Sequence, residues 1–80
     1  MFPVIDREKT GDNLRVIMAC RGYTVKEVQE YLNLGSVQSI YHWLEGKSMP
    51  TIDNLYALSE LFQLSIDEIV RGNKEREEVA

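Results

Sequence analysis

Twice along this chain a hydroxyl residue stands three positions ahead of a glutamate at the edge of an apolar run, in Thr24-Val25-Lys26-Glu27 and again in Ser65-Ile66-Asp67-Glu68. In such a capping box the hydroxyl accepts a hydrogen bond from the amide three residues on. The glutamate carboxylate in turn accepts one from the amide of the hydroxyl residue, so two of the donors orphaned at a helix start are satisfied. Each box therefore marks where a helix begins. Gly22, Gly46 and Gly72 close the intervals, each just past an apolar stripe, where a left-handed cap ends a helix at no steric cost. Starts and stops this close together leave only short helices, which gain their stability by packing against one another.

Period and punctuation predict five helices and no strand. The first is expected from about Thr10 to Arg21, with Leu14, Ile17 and Met18 on one face. The second opens at Thr24 and carries Val28, Tyr31 and Leu32 on its inner side. A short break, Asn33-Leu34-Gly35, leads to Ser36 as the expected N-cap of a third helix that ends at Gly46. That helix has two faces, an apolar stripe of Ile40, Trp43 and Leu44 and a polar stripe of Gln38, Tyr41, His42 and Glu45. One packs and the other is available. Lys47 to Pro50 form a turn, because the residue before proline is pushed out of helical geometry. Thr51 then caps a fourth helix with Ile52, Leu55, Leu58 and Phe62, and the second box opens a short fifth helix that stops at Gly72. The expected division is an N-terminal arm over 1–9, a helical domain over 10–72 and a charged tail over 73–80. The arm, Met1-Phe2-Pro3-Val4-Ile5, has two open roles: it covers the edge of the core or it meets a partner subunit.

An 80-residue chain with 44% hydrophobic and 28% charged residues has material for one core. No apolar run exceeds Val16 to Cys20, far short of the roughly 18 residues of a membrane span, and no basic-then-apolar leader pattern opens the chain. The expected location is the cytoplasm. Cys20 is the only cysteine and His42 the only histidine, so neither an internal disulfide nor a Cys/His zinc site can be assembled. Cys20 reads as a small buried hydrophobe. No phosphate loop, paired histidines or Cys/His/acid set is present, so an enzyme, a metal and a cofactor are not expected. The net charge of −4 speaks against nucleic acid until its distribution is considered. Residues 1–50 hold six acids and six bases, while residues 51–80 hold seven acids and three bases, so the acidic excess lies at the C-terminal end.

Two short helices joined by a tight break, the second with an outward polar stripe, are the layout of a helix-turn-helix. Here the chain resembles the phage-repressor/Cro (XRE) family of five-helix regulators. The resemblance is carried by Gly22-Tyr23-Thr24, by Ser36-Val37-Gln38-Ser39-Ile40, by Trp43 followed by Gly46-Lys47, by Pro50-Thr51 before Leu55, Leu58 and Leu61, and by Leu64 to Ile69. It implies an all-α fold with the helix-turn-helix in helices 2 and 3, and sequence-specific binding of a double-stranded DNA operator by a transcriptional regulator, most simply a repressor that binds as two copies. No small-molecule ligand is implied. By position, the resemblance makes Gln38, Val37, Ser39, Tyr41 and His42 the base-contacting residues, and Thr24, Lys26, Ser36 and Lys47 the backbone contacts.

The chain departs from the family pattern at several places. Val25 stands where many relatives have a glutamine that buttresses the base-reading Gln, Gly35 lengthens the break by one residue, and Glu45 brings a negative charge beside the recognition helix. Met18 and Leu44 replace an Arg and a Glu that often pair in the family, which is self-consistent because both partners are apolar together. A second reading of the same fold is a protein-interaction module, an antirepressor or repressor partner, with Tyr41, Trp43 and the arm at its interface.

Overall fold

The computed structural model describes residues 2–73 of the chain. Five helices follow one another: α1 (Arg7–Arg21), α2 (Val25–Leu32), α3 (Gln38–Leu44), α4 (Ile52–Phe62) and α5 (Ile66–Ile69). The fold is all-α, as the punctuation predicts, and both capping boxes form with both of their hydrogen bonds. Thr51 caps α4 by accepting from the Asn54 amide at 3.2 Å.

α1 begins at Arg7, three residues ahead of the expected Thr10, because Asp6 is its cap: the Asp6 carboxylate accepts from the Lys9 amide at 3.0 Å. It ends as expected at Gly22, where φ is 79° and the amides of Gly22 and Tyr23 both donate to the Met18 carbonyl, at 2.8 and 2.9 Å. The buried face of α1, Leu14, Ile17 and Met18, meets Ile40, Trp43 and Leu44 of α3 and Leu55, Leu58 and Phe62 of α4 in one core. Each such side chain contributes about 1.5–3 kcal/mol by leaving water. The approach of α1 to α3 is closest at Gly11: a Cβ there would lie 2.5 Å from the Trp43 carbonyl oxygen and 2.8 Å from that of Leu44. Met18 and Leu44 are both buried in the core.

α5 has four residues, too few to hold itself, and α1 completes it. The Asn13 side-chain amide donates to the carbonyls of Glu68 and Ile69, at 2.9 and 2.8 Å, which satisfies helix-end acceptors that would otherwise be orphaned. Buried Thr10 does the same one turn earlier: its hydroxyl accepts from the Arg71 amide at 2.9 Å and donates to the Arg71 carbonyl at 3.3 Å.

The arm runs antiparallel to the segment after α5, with a bridge between Ile5 and Gly72. The Asp6 amide donates to the Arg71 carbonyl at 2.8 Å and the Asn73 amide to the Val4 carbonyl at 3.0 Å. Backbone bonds and the Asn73 side chain, which accepts from the Val4 amide at 2.8 Å and donates to the Phe2 carbonyl at 3.0 Å, hold the arm in place. Phe2, Val4 and Ile5 keep their side chains exposed, so they do not cover the core edge.

Several sequence expectations are corrected by the structure. Cys20 is exposed, because it lies two residues beyond buried Met18 and so about 200° round the helix from it. Tyr31 is half exposed, the inner side of α2 being filled by Val28 with Leu32 beside it. Ile52 is 71% exposed: it is the first residue of α4, and its side chain leans past the helix start, where no core lies beneath it. α3 ends at Leu44, with Glu45 as its cap and Gly46 in the following turn. α5 ends at Ile69, since Val70 is already extended. Gly72 is not a helix stop; it is the place where the arm passes so closely that a Cβ would meet the Val4 carbonyl. The expected charged tail falls, from residue 74 on, outside the described residues.

Candidate nucleic-acid interface

The α2–α3 unit is locked at its start by the Thr24 box. The Thr24 amide donates to Glu27 Oε1 at 2.9 Å and the Glu27 amide to Thr24 Oγ1 at 3.1 Å. This leaves Val25 and Lys26 as the first-turn amides without an intrahelical acceptor. Lys26 is exposed beside them. Glu27 places a carboxylate at the same helix start, which competes with any anion for that dipole. Tyr23, just ahead of the box, packs a tilted ring against Phe62 at 5.8 Å between centroids, tying the start of α2 to the end of α4. Val25 is half-buried against the core.

The turn between α2 and α3 is built by side chains the sequence does not advertise. Asn33 takes a left-handed conformation with φ 58°, one that asparagine tolerates better than most residues. The Leu34 amide donates to the Gln29 carbonyl at 3.1 Å, and the Gln29 side-chain amide returns to the Leu34 carbonyl. Gln29 thereby holds both polar groups of Leu34. The same arrangement closes the α4–α5 turn, where Gln63 has φ 58°, the Leu64 amide donates to the Ser59 carbonyl at 3.1 Å, and the Ser59 hydroxyl returns to the Leu64 carbonyl at 2.6 Å.

Ser36 is not the N-cap of α3. That position belongs to Val37, which gives no side-chain cap, while the Ser36 hydroxyl accepts from the Gln38 amide at 3.3 Å. Ser36 stands one residue ahead of the cap position, too far back to reach the second or third amide of the helix. α3 then presents its two faces as the spacing requires. Ile40, Trp43 and Leu44 are buried. Gln38, Ser39, Tyr41 and Glu45 are exposed, and Val37 and His42 are half-buried at the flank. Among the described residues no group hydrogen-bonds the side chains of Gln38, Ser39, Tyr41 or His42. An outward row of donors and acceptors unclaimed by its own chain can bind the edges of another molecule's polar groups. Folding itself makes no use of these groups, which water solvates in the free protein.

Lys47 follows α3 in a turn set by Gly46, whose φ is 77°; the Lys47 amide donates to the His42 carbonyl at 2.9 Å. Its ammonium lies 3.3 Å from Glu45 Oε1 in a solvent-exposed ion pair. Arg7, which lies in the stretch expected to be arm, reaches the same turn and donates from Nη1 to the Lys47 carbonyl at 3.3 Å. Thr24 and Lys26 thus lie at the start of the unit, Ser36 in its central turn and Lys47 just past its end, with Gln38, Ser39, Tyr41 and His42 on the helix between Ser36 and Lys47. Among the described residues no cluster of three or more His, Cys, Asp or Glu side chains could hold a metal ion, and no helix is long and apolar enough to cross a membrane.

A helix-turn-helix family model matches residues 18–69, which include the end of α1 and all of α2 to α5. Among solved structures, a transcriptional regulator from Listeria innocua is similar at 28% identity and a TM-score of 0.71, over 89% of this chain and 63% of that one. The DNA-binding domain of BldD is similar at 18% identity and a TM-score of 0.67, over 82% of this chain and 94% of that domain. The second likeness is one of fold, and the chain spans less than two thirds of the Listeria regulator's length. No curated protein matches the chain. With the family match covering more than half the residues, on the helices that the sequence motifs and the geometry both single out, the chain belongs to the helix-turn-helix family of DNA-binding regulators, of the phage-repressor (XRE) type.

Proposed function

We propose that this protein binds a specific duplex DNA site with α3 in the major groove, as a transcriptional repressor acting in the cytoplasm, two copies reading the two halves of an operator. The observation that carries this reading is the outward row on α3, whose Gln38, Ser39, Tyr41 and His42 side chains have no partner among the described residues. Gln38 stands at the first position of the helix, where its amide is free to make a bidentate contact with an adenine edge, worth on the order of 1–3 kcal/mol of base discrimination. Half-buried Val37 beside it suits a thymine methyl group. Ser39, Tyr41 and His42 complete the base-reading set. Thr24, Lys26, Ser36 and Lys47 are assigned to the DNA backbone, which positions the domain without reading sequence. The similar Listeria innocua protein is a transcriptional regulator, which supports this reading.

The test is a comparison of Gln38→Ala with Lys47→Ala on specific and random duplexes over a range of salt. Gln38→Ala is expected to relax preference at one base pair of each half-site with little change in salt dependence. Lys47→Ala is expected to weaken all duplexes alike and to lower the slope of log affinity against log salt by about one unit. If both folded variants bind like the parent at every salt concentration, groove docking by α3 is wrong. The reading as a protein-interaction module then takes its place.

A further inference from the structure

Arg7 lies ahead of the segment the family model matches, and none of the motifs above uses it. It is the first residue of α1, where a cation opposes the positive end of the helix dipole, so its charge does nothing for the helix it belongs to. Nor does it pair with a carboxylate among the described residues; its one bond is from Nη1 to the Lys47 carbonyl at 3.3 Å. A guanidinium has five donors in a planar fork, and four remain.

The charge balance of this corner gives those donors a purpose. Lys47 is the cation expected on a phosphate, yet Glu45 already sits 3.3 Å from its ammonium. Glu8 lies alongside too: the nearest atom to a Cβ built on Gly46 would be Glu8 Cγ, at 2.8 Å. Glu45 and the neighbouring Glu8 bring two acids to this corner against one lysine, a balance that disfavours phosphate. Arg7 restores neutrality, and because arginine offers a bidentate fork to phosphate oxygens it does so in the geometry a DNA backbone needs.

We infer that Arg7 is a DNA-backbone contact of this protein, holding a phosphate beside Lys47 and extending the interface from the helix-turn-helix onto the start of α1. The inference rests on the DNA-binding reading. Lys47 exchanges Glu45 for phosphate readily, since an exposed ion pair is held weakly, and Arg7 keeps the corner from turning negative while it does.

The experiment measures binding of a fluorescent random-sequence duplex over a series of KCl concentrations, for the parent, Arg7→Gln, Arg7→Lys, Lys47→Ala and the Arg7→Gln/Lys47→Ala double variant. Thermal melting is followed alongside. Arg7→Gln is expected to melt no lower than the parent, and to lower the salt slope by about one unit for every duplex; Arg7→Lys keeps the slope, and the double variant loses about two units. A parent-like slope for Arg7→Gln overturns the inference, as does a double variant whose slope equals that of Lys47→Ala alone, since Arg7 would then only brace the turn. These outcomes leave the DNA-binding reading standing. A parent that shows no salt-dependent binding removes that reading and the inference together.

Discussion

Replacing Gly11 by alanine sets two effects of opposite sign against each other, and the structure decides which prevails. In the interior of an exposed helix the change would stabilise by about 1 kcal/mol, through helix propensity alone. Gly11, however, is buried where α1 crosses α3, and the new methyl would lie 2.5 Å from the Trp43 carbonyl oxygen and 2.8 Å from that of Leu44. Both neighbours are backbone, so neither can swing aside. Overpacking of this kind costs about 1–3 kcal/mol, and contact with two carbonyls belongs at the upper end. The net is a loss of about 2 kcal/mol, which for a domain of this size lowers the melting temperature by roughly 8–16 °C. Gly35→Ala is the matched control: its φ is not positive and nothing lies within 4 Å of the new carbon, so a gain of about 0.4–1 kcal/mol is expected. Thermal unfolding followed by circular dichroism at 222 nm reads both. A Gly11→Ala protein that melts at or above the parent would refute the close crossing of α1 and α3, and with it the way α3 is held.

Two further changes probe the platform beneath the outward face of α3. Trp43→Ala removes a buried indole and is expected to cost roughly 3–5 kcal/mol, with a melting temperature equal to the parent's showing instead that the register of α3 is wrong. Met18→Arg alone should destabilise by burying an unpaired charge, while adding Leu44→Glu should recover part of the loss; strict additivity in the double-mutant cycle would mean that the two side chains do not meet.

What could be read in advance was chemistry confined to a few neighbouring residues. The Thr24 and Ser65 boxes form because both partners lie within one turn, and Ile40, Trp43 and Leu44 face inward because their spacing leaves no other common side. Asp6 escaped notice because a lysine, not a glutamate, stands three residues on, so half of the box signature is missing. Ser36 has the chemistry of a cap but stands one residue ahead of the cap position. Thr10 and Asn13 look like ordinary polar positions in α1; their partners are 55 to 61 residues away, and nothing local foretells them. Gln29, which clamps the lengthened turn, and Arg7, which crosses to Lys47, are hidden for the same reason. In the outward row the helical period identified the residues, while the absence of internal partners for four of them needed the folded chain.

The most direct test of DNA recognition by α3 is selection of bound duplexes from a random pool by the parent protein and by Gln38→Ala in parallel. The account predicts a short enriched sequence with two-fold related halves for the parent, and for Gln38→Ala the same sequence with preference lost at one base pair of each half. Contradiction would come as a parent pool that shows no enrichment over its input, or as identical enriched sequences from the two proteins.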